Sequence, residues 1–175
     1  RYYPYSMGET AENVAEKYNL TRERQDEFAL NSQLKAKSAI EAGRFKDEIM
    51  PVEILSKKDK IIFDTDEFPR FDTTMEKLSK LKPAFREGGT VTAGNSSGIN
   101  DGASLIMIAS KDFVKKYDLK PKARYVSSAV AGVDPSCMGI GPVPSTNKAL
   151  QRAGMKLKDI DLIELNEAFA AQSLA

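Results

Sequence analysis

An α/β fold is what this sequence predicts, and three stretches carry the prediction. The first is Ile160 to Gln172, IDLIELNEAFAAQ, where a short apolar run of strand length, Leu162, Ile163 and Leu165, gives way to an alanine-rich helix former, Ala168 to Ala171. The second is Arg124 to Ala153: a strand of small side chains through Ala131, the Gly/Pro-rich loop GVDPSCMGIGP through Pro142, and a helix from Pro144 or Ser145 to Ala153, closed by Gly154. Strand, loop, helix, strand, helix is an αβ alternation, so the last third reads as a piece of a layered α/β domain. The third is TVTAGNSSGINDGASLIMIAS, Thr90 to Ser110, a loop of small residues feeding an apolar strand, Ala103 to Ala109, that reads as buried on both faces.

The elements before Thr90 follow in order. RYYPYSMGETAEN is an extended arm, and from Thr10 a short helix is expected with Ala11, Val14, Ala15 and Tyr18 on one side, broken by Asn19 and Leu20. Thr21 is placed to cap a long helix through about Ala42, with Gly43 as its C′ residue. Phe28, Ala29, Ser32, Ala36, Ala39 and Ile40 recur at helical spacing and read as a core-facing stripe. Ile49 to Leu55 and Ile61 to Phe63 read as two strands around the turn Lys57-Lys58-Asp59. Asp64, Asp66 and Glu67 lack the spacing of a Ca²⁺ loop and read as a solvated loop. A short helix, Thr74 to Leu81, precedes Pro83-Ala84-Phe85 and a turn at Gly88-Gly89. Further on, Lys111 to Tyr117 reads as a helix, and the proline-bearing connector Leu119 to Lys122 is the best domain boundary.

Composition bounds the chemistry. The 175 residues have near-average apolar and charged fractions, 41% and 29%. A net charge of +1 with interspersed acids argues against a nucleic-acid binder. There is no apolar run long enough to cross a bilayer and no signal-peptide pattern. No histidine occurs, so a general base of ordinary pKa would have to be a carboxylate or a lysine. The single cysteine, Cys137, excludes an internal disulfide and a thiol-rich metal site, and it fits a reducing, cytoplasmic setting. The chain begins at Arg1 and stops at Ala175 inside an apparent helix, which reads as an internal fragment of a longer protein.

Two places invite a functional reading. Gly94, Asn95, Ser96, Ser97 and Gly98 are crowded into one loop, where glycine and asparagine permit left-handed backbone and close approach of a ligand to the main chain; a tight turn would use the same residues. Asn166 stands where strand turns to helix, the end of a strand at which ligands gather in open α/β sheets. Its carboxamide either caps the helix, with Glu167 suiting the positive end of the helix dipole, or points into a site and orients a water or an oxyanion.

Six motifs in this order, MGETAENVAEKYNLTRERQDEFAL, GRFKDEIMPV, LKPAF, TVTAGNSSGINDGA, GVDPSCMGIGPVP and DIDLIELNEAFAAQ, cover essentially the whole chain, and together they resemble the thiolase family. The SGIND wording after AGNS resembles the biosynthetic acetyl-CoA acetyltransferase (acetoacetyl-CoA thiolase) type. The resemblance implies the layered α-β-α-β-α thiolase fold with its inserted α+β loop domain. Residues 1–99 would then be most of the CoA-binding loop domain, 100–120 the end of the N-terminal half, and 121–175 the start of the C-terminal half. It implies reversible condensation of two acetyl-CoA to acetoacetyl-CoA through a cysteine thioester, with coenzyme A as substrate, no permanently bound cofactor, no metal, and a homo-oligomer.

The resemblance also assigns roles. Asn166 matches the NEAF asparagine that positions a water beside a histidine in an oxyanion hole. The nucleophilic cysteine lies upstream of these motifs in the family, and the histidine and second cysteine downstream. None is present, so the chain alone is expected to be inactive, and Cys137 is not promoted to nucleophile. Met7 matches a methionine near the pantetheine end of CoA, Arg70 an arginine near the nucleotide, and Ser97 a serine that hydrogen-bonds pantetheine, with Ala93 beside it. Ala84 and Phe85 match residues lining the tunnel, Met138 the acyl-pocket methionine, and Phe169 belongs with the substrate-binding set. Ser6 stands where the family often has histidine, and Lys77 where it has an adenine-side serine. The alternatives are a non-catalytic CoA- or acyl-binding module and a subunit-contact module. With the sheet neighbours of Leu162 to Leu165 missing, pairing between chains is expected.

Overall fold

A computed structural model describes residues 4–55 and 59–175. The chain divides into two compact units. The first takes residues up to Gly98 together with Pro135–Cys137 and Asn166–Ala175, and the second takes Ile99–Asp134 and Met138–Leu165.

The first unit is helical. α1 spans Met7–Lys17 and starts three residues before the expected Thr10, because Ser6 and Glu9 form a capping box. The Ser6 hydroxyl accepts from Glu9 N at 3.3 Å, and Ser6 N donates to the Glu9 carboxylate at 2.6 Å. Ala11, Val14 and Ala15 are buried as the periodicity predicts, whereas Tyr18 is 39% exposed. Asn19 ends the helix at a φ of 53°. α2 spans Arg22–Glu41, with Thr21 as N-cap, Ala42 as C-cap and Gly43 at φ 68°, as expected. Its anticipated stripe is only half-buried. The residues of α2 that are enclosed are Gln25 and Asp26, two polar side chains that hydrophobic periodicity does not weigh.

The strands β1 (Val52–Leu55) and β2 (Lys60–Phe63) pair antiparallel, with Val52 opposite Phe63 and Leu55 opposite Lys60. The first begins at Val52 rather than Ile49. Lys57 and Lys58 of the expected turn lie outside the described residues. α3 is Met75–Ser79, capped by Thr74 and shorter than predicted, and its Leu78 is buried. The C-terminal helix α6 is Ala170–Leu174 when helices are taken in chain order, and it packs on α1 and α2. The core is small: Ala11, Ala15, Leu20, Val91 and Ala171, with Phe169 and Leu174 packed against it.

The second unit contains α4 (Lys111–Lys116, capped by Ser110) and α5 (Pro142–Ala153). α5 starts at Pro142, since proline is tolerated in a first helical turn, and it ends at Gly154 in the left-handed region at φ 67°. Its flank is held to the preceding segment by Ser127 Oγ donating to Ala149 O (2.8 Å) and Arg152 to Ser128 O (2.8 Å). The three strands expected at 103–109, 124–131 and 162–165 do not form among the described residues. Leu105, Ile106 and Leu162 are exposed instead of doubly covered. The reason is physical: a strand needs a neighbouring backbone to satisfy its N–H and C=O groups, and no strand among the described residues pairs with these segments. Among the described residues no helix is long and apolar enough to cross a membrane.

Candidate functional site

The loop after β2 and α3 is organised by buried polar side chains. Glu12, in the middle of α1 and only 3% exposed, accepts from Thr90 N and Val91 N, with its nearer oxygens at 2.9 Å from each, and from the Thr90 hydroxyl. A carboxylate there replaces water for two main-chain donors that would otherwise be enclosed and unpaired. Val91 O in turn accepts from Ala84 N at 2.9 Å, which fixes the LKPAF segment beside the loop. Within the loop, Asn95 Oδ1 accepts from Thr92 N (2.8 Å), Gly94 N donates to the Thr92 hydroxyl (3.1 Å), and Ser96 Oγ donates to Thr92 O (2.7 Å). Gly94 lies so close to α3 that a Cβ would sit 2.5 Å from Leu78 Cδ2 and 2.6 Å from Leu81 Cδ1. A Cβ here would force both leucine side chains to shift.

The NEAF segment is stitched to this loop, although about seventy residues separate them in sequence. Ser97 N donates to Ala168 O at 2.9 Å, Ala170 N donates to Asn95 O at 2.9 Å, and Ser96 and Phe169 form an isolated antiparallel bridge. Phe85 meets Phe169 edge-on, with centroids 6.0 Å apart and planes at 81°. The Phe85 ring also lies over Gly8, where a Cβ would fall 2.2 Å from ring carbons. Four of the six sequence motifs therefore meet in one place within the first unit.

The predicted site residues divide accordingly. Phe85, Phe169, Ala93 and Ser97 lie on these joined segments, with Ala84 anchored through Val91; Ala93 and Ser97 are exposed, and Phe169 is half-buried. Met7 adjoins Gly8 and is 64% exposed. Asn166 is exposed, two residues from the Ala168 carbonyl that holds Ser97. It is not the cap of the last helix, because α6 begins at Ala170 with Phe169 as N-cap. Glu167 accordingly does not serve the helix dipole; it accepts from the Ser32 hydroxyl of α2. Arg70 is exposed and tied to α2, its N–H donating to Gln33 Oε1 at 2.8 Å. Met138 lies in the second unit, 47% exposed in a 3₁₀ turn, and Cys137 is buried.

Lys77 spends its charge locally: its ammonium donates to Asp72 Oδ2 and to Asp72 O. That hydrogen bond first, and the lysine charge second, hold the Asp72 carboxyl below the usual range. Asp64, Asp66 and Glu67 are exposed, and no group of three metal-ligating side chains occurs among the described residues. A hollow of about 450 Å³ between the end of α1 and Arg86–Thr90 contains none of the predicted site residues.

Glu12, Arg22, Gln25 and Asp26 were not among the predicted site residues, and Asn95 was read only as part of a loop that lets a ligand approach the main chain. The legible signals were an acid beside Ala11 on an apolar helix face and an Arg–Asp pair at i,i+4 spacing.

Two family models match: "Thiolase, N-terminal domain" over residues 1–112 and "Thiolase, C-terminal domain" over residues 119–175. An acetyl-CoA acetyltransferase of Syntrophomonas wolfei is 57% identical over 98% of the chain and 43% of its own length. The chain thus spans less than half the length of the curated relatives it matches. Its trace superposes on the crystal structure of the Bacillus anthracis acetyl-CoA acetyltransferase with a TM-score of 0.90 and 53% identity, covering 96% of this chain and 43% of that one. Human mitochondrial 3-ketoacyl-CoA thiolase gives a TM-score of 0.89 at 53% identity, over 96% and 42%.

Proposed function

Because the chain belongs to the thiolase family, we propose that the full-length protein is an acyltransferase that condenses two acetyl-CoA to acetoacetyl-CoA, or runs the thiolysis in reverse. In that reaction a cysteine thiolate attacks the acetyl-CoA carbonyl and expels CoA thiolate, leaving an acyl-enzyme. A second acetyl-CoA loses an α-proton to a base, its enolate attacks the acyl carbon, and the enzyme thiolate departs. The nucleophile, the base and the imidazole lie outside this chain in the proposal. This chain supplies the cover over CoA and the Asn166 carboxamide that orients an oxyanion-hole water.

The observation that carries the reading is the meeting of Ala93–Ser97, Phe85 and Phe169 beside the segment bearing Asn166. A flexible pantetheine arm needs an apolar wall with few polar anchors; Phe85, Phe169 and Ala84 offer the wall, and Ser97 the anchor. Met7 would flank its pantetheine end, Met138 the acyl group, and Arg70 the nucleotide phosphates. We assign residues 1–99 to the loop domain, 100–120 to the end of the N-terminal half and 121–175 to the start of the C-terminal half; the gap between the two matched family models supports a break near there. A homo-oligomer in the cytoplasm completes the reading.

The test is thiolysis of acetoacetyl-CoA by the full-length protein and by its Ser97→Ala variant. Turnover by the first and a KM for CoA raised about fivefold in the second, the loss of one hydrogen bond, is the expected result. CoA binding without turnover would instead establish a non-catalytic acyl-binding module. A second substrate reading, thiolysis of longer 3-ketoacyl-CoA, is favoured by the likeness to the human 3-ketoacyl-CoA thiolase, which is equal in sequence identity to that of the Bacillus anthracis enzyme; a chain-length series of 3-ketoacyl-CoA substrates separates the two.

A further inference from the structure

We propose that Arg22, Asp26 and Asn95 form a positioning clamp that fixes the relative placement of the segments carrying the CoA-binding residues. The clamp rests on reading Ala84, Phe85, Ala93 and Ser97 as CoA-binding. Asp26 is 1% exposed, and each of its oxygens has one donor. Oδ1 accepts from Asn95 Nδ2 at 2.9 Å, and Oδ2 accepts from Arg22 Nε at 2.7 Å. Arg22 reaches onward, its Nη2 donating to Leu78 O at 2.6 Å and Leu81 O at 3.0 Å, the end of α3 that runs directly into Ala84 and Phe85. Asn95 reaches the other way. Its Nδ2 also donates to Thr90 O (3.1 Å), its Oδ1 holds Thr92 N, and its main-chain carbonyl holds Ala170 N.

One buried carboxylate on α2 therefore joins three segments: the loop carrying Ala93 and Ser97, the stretch leading to Ala84 and Phe85, and the segment carrying Phe169. An apolar residue at position 26 would fill the space, but it would leave the Asn95 amide and the Arg22 guanidinium without their shared acceptor. Directional hydrogen bonds to a buried charge fix relative placement in a way that apolar contact does not. Leu78 and Leu81 also pack against Gly94, so a shift in the clamp moves these segments relative to one another.

The experiment uses the full-length protein, steady-state thiolysis and melting temperature. In Asn95→Asp a second carboxylate faces Asp26, and KM for CoA rises about tenfold while kcat stays within about twofold, the signature of lost uniform binding. The exchange Asp26→Asn/Asn95→Asp puts an amide opposite a carboxylate again, although Thr90 O loses its donor and Arg22 then faces a neutral amide, and it lowers the raised KM to about threefold above wild type. Val14→Ala, a cavity in α1 at a residue that takes no part in the clamp's hydrogen bonds, lowers the melting temperature and leaves KM unchanged. The clamp is overturned if Asn95→Asp folds with an unchanged KM, if the exchange does not lower the raised KM, or if Val14→Ala raises KM equally. If Asn95→Asp does not fold, Arg22→Lys decides: a lysine keeps the ion pair but cannot hold both carbonyls, and an unchanged KM there also rejects the clamp. Failure of the underlying reading is separable. Ser97→Ala without effect on KM removes the CoA assignment, whereas faster amide hydrogen exchange at residues 92–97 in Asn95→Asp reports the clamp without any ligand.

Discussion

In the first unit Val14, Val91 and Ala171 are fully enclosed, while in the second Leu105, Ile106 and Ile108 stand 97%, 83% and 86% exposed. The second unit carries the longer apolar run, Leu105 to Ile108, yet it is the first that encloses its apolar side chains. The two units differ in where their backbone hydrogen bonds end. α1 and α2 satisfy their own N–H and C=O groups, so they need only small apolar faces and a few buried polar anchors to close around one another. The apolar segments of the second unit are strand-like, and a strand completes its ladder only on another strand. Hydrophobicity alone does not bury a segment; it needs a partner of matching hydrogen-bond geometry.

The largest consequence concerns the whole second unit. This chain, prepared by itself, is expected to self-associate through its uncovered apolar segments, and sedimentation velocity would show it; a lone monomer at tens of micromolar would contradict the contrast. Next in size is Glu12→Ala, which strips the acceptor from the buried Val91 amide and the part-buried Thr90 amide and is expected to cost about 2 kcal/mol in urea denaturation. Val14→Ala, by cavity formation, is expected to cost about 2 kcal/mol. Its counterpart Ile106→Ala, with nothing packed on it, should stay within about 0.5 kcal/mol in the same assay. Equal losses at the two positions would erase the distinction between the units.

The smallest effect is electrostatic. Lys77 lowers the folded-state pKa of Asp72, so the pair contributes stability above the unfolded carboxyl pKa, and that contribution is lost as pH falls through the folded value. Asp72→Asn should therefore show a slightly lower denaturation midpoint at neutral pH, with the two proteins converging in acid. A difference that persists at low pH would mean that the contact is not ionic. Because both side chains are exposed, the effect is also expected to fade with salt.

Much of the architecture was legible in the linear chain. The cap at Thr21, the stop at Gly43 and the stop at Gly154 are local signals, set by one or two side chains and the backbone beside them. The six ordered motifs were likewise readable without coordinates, and they pointed to the family. Ser6 with Glu9 was a local signal too, and overlooking it misplaced the start of α1. The buried roles of Glu12, Asp26 and Asn95 were of another kind. A carboxylate on a helix is ordinarily a solvated group, and only the return of residues 90–95 onto α1 and α2, and of residues 168–170 onto that loop, turns these three into internal anchors. Burial and pairing depend on which distant segments meet. Caps and turns need no such meeting, so tertiary contact alone settled whether a polar side chain became surface or scaffold, and whether an apolar run became sheet.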